Sequence, residues 1–84
     1  MKNYPSHYQE LVRLMQDMGK EIPQQMQGFM DLHKAATAEG ILSTNTKELI
    51  ALGIAIAVRC DGCIAFHIND SIKAGCTREE SMET

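Results

Sequence analysis

The stretch LIALGIAIAV, residues 49–58, constrains the fold of this 84-residue chain more than any other segment. It is the longest apolar run of the sequence, yet it is far shorter than the ~20 residues that a membrane-spanning helix needs. With a single glycine inside and an arginine directly after it, the run predicts a buried core helix. So short a chain has few residues to cover that helix, and we therefore expect the subunits of an oligomer to bury it together.

Helix start and stop signals recur along the rest of the sequence, and the period-two alternation of strands is absent. Ser6 and Gln9 have the spacing of a capping box, and the first helix is predicted to run from there to Gly19. Pro23 suits the first position of a second helix, which is predicted to stop at Gly40. Its apolar stripe is predicted to be core, and it consists of Met26, Phe29, Met30, His33 and Ala36.

Three further helices follow from the same kind of signal. Asn45 is predicted to cap the third helix, with Glu48 as the partner residue of its capping box. A fourth helix is expected to start in the cysteine stretch and to end at Gly75. Thr77 and Glu80 form another capping box, which opens a short fifth helix. The predicted fold class is all-α, with about five helices.

Composition and charge place the chain among ordinary folded proteins. It is 44% hydrophobic and 23% charged, which is too apolar for disorder, and residues 1–84 are expected to form a single domain. The net charge is −3 and the basic residues are scattered, which argues against a nucleic-acid partner. The opening MKNYPSHYQE lacks the apolar region of a signal peptide, so we expect a cytoplasmic protein that does not bind membranes.

The segment RCDGCIAFH, residues 59–67, carries the candidate chemistry. A structural disulfide framework is not expected, because the chain has three cysteines and no export signal. Zinc is one reading: Cys60, Cys63 and His67 would supply three ligands, although no second ligand pair with zinc-like spacing exists. A redox pair is the second, since two cysteines in C-x-x-C spacing at a helix start can close a disulfide. The third is a pair of small buried hydrophobes.

For zinc, the fourth ligand would come from Cys76, His7 or His33. The spacing of His67 favours the redox reading, because on a helix it shares one face with both cysteines and an imidazole there can take or hold a thiol proton. His7 and His33 have no cysteines at such a spacing and are interpreted as structural. Cys76 follows the predicted helix stop and is read as buried and inert.

Glu48 admits two interpretations. A capping box would explain it fully. Alternatively, the chain turns back near residues 59–62, where Asp61 and Gly62 are turn formers, and the third and fourth helices lie antiparallel. Glu48 could then approach His67, orient its imidazole and pass protons to it.

The segment ELIALGIAIAVRCDGCIAFHINDSIKAGCTREE, with its glutamate, two cysteines and histidine in this order and spacing, resembles the alkylhydroperoxidase D-like branch of the carboxymuconolactone decarboxylase family. The resemblance implies an all-α domain that assembles into trimers or hexamers. It also implies a thiol-dependent peroxidase, with Cys63 as the peroxidatic thiol, Cys60 as the resolving thiol, and His67 with Glu48 as a proton relay. Family members usually continue through further helix, so the resemblance also implies a fragment or a shortened member.

The partners implied are a small hydroperoxide and a dithiol reductant, such as a lipoyl group or a thioredoxin-like protein; no cofactor is expected. Two alternatives stay open. One is the decarboxylase branch of the same family, which does not rely on a cysteine pair. The other is a non-catalytic helical oligomer with a zinc site of cysteine and histidine ligands.

Overall fold

The computed structural model describes residues 2–84, and this part of the chain contains helices and no strand. The five helices are α1 (Tyr4–Glu21), α2 (Pro23–Thr37), α3 (Thr44–Ala57), α4 (Asp61–Lys73) and α5 (Arg78–Glu83). The all-α prediction and the number of helices are therefore confirmed. The helices fall into two compact units, one extending to Ala38 and the other beginning at Glu39.

In the first unit, α1 and α2 pack against each other. Helix α1 begins earlier than predicted, because Asn3 and not Ser6 is its N-cap: the Asn3 Oδ1 accepts the Ser6 N–H at 3.1 Å. Asparagine caps as well as serine, and Pro5 is tolerated in the first turn, where its missing N–H costs nothing. The helix also passes through Gly19 and ends at Glu21.

Helix α2 begins at Pro23 as expected, but it ends at Thr37 rather than at Gly40. Neither α1 nor α2 contains a buried residue. The core prediction for the stripe of α2 is wrong for Phe29, Met30 and Ala36, since all three are exposed. Met26 and His33, which belong to the same stripe, are half-buried.

The second unit begins with the N-terminus of α3, where the predicted cap is also displaced. Ser43 and not Asn45 is the N-cap, and its Oγ accepts the Thr46 N–H at 3.2 Å. Glu39 adds a second cap, because its carboxylate accepts the Thr44 N–H at 2.9 Å. Glu48 therefore lies beyond the capping positions, and the capping box predicted for it does not form.

Only three residues, numbers 58–60, connect α3 to α4. Two backbone bonds close the end of α3: the Arg59 N–H donates to Ile56 O, and the Cys60 N–H donates to Ala55 O, both at 3.1 Å. This is a Schellman turn, which needs a left-handed residue after the helix. Arg59 takes that conformation with φ 59°, at a cost of about 1 kcal/mol that glycine would avoid.

The end of α4 repeats the same turn. The Gly75 N–H donates to Ile72 O and the Cys76 N–H donates to Ser71 O, and Gly75 has φ 88°. The prediction that Gly75 ends this helix is thus confirmed. So is the capping box that opens α5, in which Thr77 and Glu80 exchange bonds between side chain and backbone N–H.

Helices α3 and α4 pack against each other and hold the three buried apolar residues of the described chain, namely Leu52, Ala55 and Ala65. The run of residues 49–58 is buried on one face only. Its exposed members are Ile50, Ile54, Ile56, Ala57 and Val58. No helix in residues 2–84 is long and apolar enough to cross a membrane.

The left-handed conformation at Gly75 predicts opposite effects of alanine at two glycines. Gly75→Ala is expected to lower the free energy of unfolding by about 1–2 kcal/mol, because alanine is strained at this φ. Gly28→Ala, in the open interior of α2 with no neighbouring atom within 4 Å, is expected to raise it by up to ~1 kcal/mol. Urea denaturation of both variants measures the two changes, and a change of the same sign in both would refute the role given to Gly75.

Candidate functional site

The two cysteines of residues 59–67 lie at the N-terminus of α4. Cys60 is the N-cap of this helix, and its Sγ accepts the Cys63 backbone N–H at 3.2 Å. The two side chains form a disulfide across the first turn, with a Cα–Cα distance of 5.2 Å. The sulfur pair lies at the positive end of the helix dipole. Both cysteines are half-buried and therefore keep some access to solvent.

His67 lies four residues, about one helical turn, after Cys63. Its Nδ1 lies 2.8 Å from Oε2 of Glu48, which reaches across from α3. The Glu48 side chain is only 3% exposed and that of His67 is 24% exposed. The bond therefore joins a buried carboxylate to an imidazole that keeps an edge toward the surface.

This hydrogen bond fixes the chemistry of the imidazole. A carboxylate only accepts, so Nδ1 carries the hydrogen and donates it to Glu48. Nε2 is then the nitrogen that is left to accept a proton from a neighbouring group. A buried carboxylate is costly unless it is paired, and among residues 2–84 every buried side-chain N and O atom has a hydrogen-bond partner.

Cys76, the third cysteine, has a different environment. It is half-buried rather than buried as expected, and its S–H donates to the Asn45 carbonyl at 3.5 Å. Partial burial, followed by the carboxylates of Glu80 and Glu48, raises the pKa of the Cys76 thiol above its ordinary value. A protonated, hydrogen-bonded thiol is a poor nucleophile, so Cys76 is not a candidate for the reactive sulfur.

All four residues singled out from the sequence lie in the second unit, and the structure joins them in two pairs. Cys60 is bonded to Cys63, and Glu48 is bonded to His67. The interpretation of Glu48 as a partner of His67 therefore holds, whereas its interpretation as a capping residue is wrong. A cysteine pair in disulfide form has no thiolate to offer a metal, so the zinc reading applies to the reduced protein only.

Sequence reasoning did not find two features of the site. The first is the use of the Cys60 sulfur as a helix cap, for which serine or asparagine is the usual signal. The second is Arg59, whose left-handed conformation has glycine as its sequence marker. Neither feature has a recognisable sequence pattern, because the residue types that usually mark an N-cap or a left-handed residue are absent at these two positions.

Comparison with known proteins places the site residues within a region that matches a known family. The sequence profile of the carboxymuconolactone decarboxylase family matches residues 23–84, which include both cysteines, His67 and Glu48. The chain therefore belongs to the carboxymuconolactone decarboxylase family.

Solved and curated relatives support this assignment. A crystal structure of a carboxymuconolactone decarboxylase family protein from Legionella pneumophila superposes with a TM-score of 0.90 at 38% identity, covering 99% of this chain and 74% of that protein. An uncharacterised protein of Cupriavidus necator is 36% identical over 88% of this chain and 66% of its own length. One of Haemophilus influenzae is 32% identical over 82% of this chain and 61% of its own length. The chain thus spans less than two thirds of these two curated relatives.

Proposed function

We propose that this chain is a thiol-dependent peroxidase of the alkylhydroperoxidase type, which reduces hydroperoxides through Cys60 and Cys63. The observation that carries the proposal is the disulfide at the N-terminus of α4, one turn before an imidazole that a buried carboxylate holds. A disulfide across one helical turn joins two sulfurs that can cycle between thiol and disulfide without a distant partner.

In the first step, Cys63 is the nucleophile. His67 lies one turn away and accepts the thiol proton at Nε2, while Glu48 stabilises the imidazolium through Nδ1. The Cys63 thiolate attacks one oxygen of the hydroperoxide and breaks the O–O bond. The alcohol leaves with a proton from His67, and Cys63 becomes a sulfenic acid.

In the second step, the Cys60 thiolate attacks the Cys63 sulfenic acid and the disulfide forms, while the oxygen leaves as hydroxide and takes up a proton to give water. An external dithiol, such as a lipoyl group or a thioredoxin-like protein, then reduces the disulfide by exchange and is itself oxidised. Such dithiols are maintained in reducing compartments, which is why we propose a cytoplasmic location.

A decarboxylase of the same family is the competing enzymatic function. The pair of His67 and Glu48 could serve acid–base chemistry without help from sulfur, whereas the cysteine pair adds nothing to such a reaction. The two functions differ in whether the cysteines are required, and the cysteine variants below therefore separate them.

The first test concerns Glu48. In Glu48→Gln, the amide oxygen can still accept the Nδ1–H of His67, but it cannot stabilise an imidazolium as a carboxylate does. We expect the melting temperature to change little and peroxide turnover with a dithiol to fall at least tenfold, a threshold set below the ~10²–10⁴ that acid–base groups contribute.

Glu39→Gln is the matched control, since Glu39 precedes the same helix and contacts its first N–H without touching His67. This variant is expected to keep full turnover. Unchanged turnover in Glu48→Gln, measured beside this control, would remove Glu48 from the mechanism.

The second test identifies the attacking sulfur. In Cys60→Ser, a single equivalent of peroxide should leave a sulfenic acid on Cys63 that dimedone traps, because no resolving thiol remains. In Cys63→Ser, Cys60 should react more slowly with peroxide than Cys63 does in Cys60→Ser, since the general base lies one turn further from it. Mass spectrometry of the two variants gives the answer: a fast adduct on Cys60 alone would reverse the roles, and no adduct in either variant would refute the peroxidase.

The third test concerns assembly, for which we propose a homo-oligomer, a trimer or a hexamer. Several isoleucines of α3 and α4 are at least half exposed, among them Ile54 at 59% and Ile72 at 65%, and an oligomer would bury such residues. Light scattering is expected to show no monomer at micromolar concentration, and Ile54→Lys should shift the mass downward. Gln25→Lys, which adds the same charge at an exposed polar residue of α2, is the control, and a monomeric wild-type chain would contradict the proposal.

A further inference from the structure

The two Schellman turns of the second unit place two cysteines in equivalent positions. Cys60 follows the left-handed residue after α3, and Cys76 follows the left-handed residue after α4. Each cysteine donates its backbone N–H to a carbonyl in the last turn of the preceding helix. The chain therefore contains two Schellman turns, each with a cysteine directly after its left-handed residue.

The left-handed residue differs between the two turns. Gly75 occupies the second turn, as the backbone prefers, whereas Arg59 occupies the first and is the one residue other than glycine with positive φ among residues 2–84. The Arg59 side chain is exposed, and within the described residues its guanidinium has no hydrogen-bond or ion-pair partner. The backbone thus gains nothing from arginine here, and no intrachain contact accounts for the side chain.

The electrostatic environments of the Cys60 and Cys76 sulfurs are opposite in sign. Cys76 donates its S–H to a carbonyl and faces the carboxylates of Glu80 and Glu48. Cys60 instead accepts a backbone N–H at the positive end of α4, and the residue before it is Arg59. One environment favours the neutral thiol and the other favours the thiolate.

The other charged groups around Cys60 are two carboxylates. On α4, Asp61 is the acidic residue of the first turn; it is exposed, as Arg59 is, so solvent weakens the effect of both charges on Cys60. Across the packing of α3 and α4, the Glu48 carboxylate is bonded to His67. Arg59 is therefore the cation next to Cys60 along the chain, and it opposes Asp61 from the other side of the cysteine.

We propose that Arg59 is a positioning residue for the charge of Cys60: its guanidinium stabilises the Cys60 thiolate in the reduced protein and speeds the attack of Cys60 on oxidised Cys63. The second half of this statement rests on the proposed peroxidase function. In that step the Cys60–Cys63 S–S bond forms and the S–O bond of the sulfenic acid breaks. The oxygen leaves as hydroxide, which takes up a proton to give water, and no further oxidant is needed.

The first measurement needs no peroxidase activity. In a Cys63→Ser background, the rate at which iodoacetamide alkylates Cys60 at neutral pH reports its thiolate fraction, and peptide mass spectrometry reads Cys76 in the same sample as an internal reference. Arg59→Gln is expected to slow alkylation of Cys60 about threefold, the effect of one unit charge on an exposed neighbouring residue. The rate at Cys76 should stay unchanged.

Two further variants separate charge from backbone. Arg59→Lys keeps the charge and should retain the wild-type rate at Cys60. Arg59→Gly removes the charge but suits the left-handed conformation, so it should be as slow as Arg59→Gln while melting no lower than wild type. In 1 M salt the difference between arginine and glutamine should shrink, because an exposed charge is screened. A wild-type rate in Arg59→Gly, or a slow rate in Arg59→Lys, would overturn the proposal.

The second measurement tests the consequence for the reaction. With both cysteines present, a single equivalent of peroxide in the presence of dimedone should give about threefold more adduct on Cys63 in Arg59→Gln than in wild type, because resolution by Cys60 competes less well. Equal adduct in the two proteins would refute the effect of Arg59 on resolution. If dimedone traps no sulfenic acid in wild type or in Cys60→Ser, the peroxidase proposal fails, and the alkylation series still decides the effect of Arg59 on Cys60.

Discussion

The short connection between α3 and α4 is the constraint on which the site depends. Cys60 serves the ends of both helices, since its N–H closes the end of α3 and its sulfur caps α4. With three connecting residues, the chain must reverse, and the contacts from Glu48 to His67 and from Asn45 to Cys76 follow an antiparallel order. A glutamate and a histidine that are 19 positions apart are thereby brought into hydrogen-bond contact. The same connection sets the cysteine pair at the positive end of α4.

Helix ends marked by a single capping residue or box were predictable from the sequence, whereas ends with several neighbouring candidate caps were not. Gly75 and the box of Thr77 and Glu80 stand alone at their helix ends, so each led to a correct boundary. The segment STNT, residues 43–46 at the start of α3, offers four candidate caps in a row. Ser43 is the N-cap, and the Glu39 carboxylate caps the same helix end, a contact that the sequence does not indicate. The partner of Glu48 was predictable only as one of two alternatives, because a contact between two helices depends on whether the turn between them reverses the chain.

The burial of Glu48 is informative because a capping glutamate would have no reason to be buried. Removing a carboxylate from water costs several kcal/mol, about as much as the attraction of a good partner returns, so stability alone is a weak reason to keep such a pair. A small unit with three buried apolar residues has little reserve from which to offset that cost. The pair is better explained by what it does for His67, whose ring it orients and whose tautomer it fixes.

The capping of α4 by sulfur bears on how the site can change its redox state. The anchors of Cys60 to α3 are backbone bonds, and they are independent of what is bonded to the sulfur. The Cys60 sulfur accepts the Cys63 N–H in the disulfide form, and a reduced sulfur in the same place could still accept it, more strongly as a thiolate. Neither half of the proposed cycle would then remove the cap of α4, and His67 would keep its place one turn beyond Cys63. If the proposed peroxidase reaction takes place, α4 can therefore stay folded while the disulfide at its N-terminus is made and broken repeatedly, which such a reaction requires.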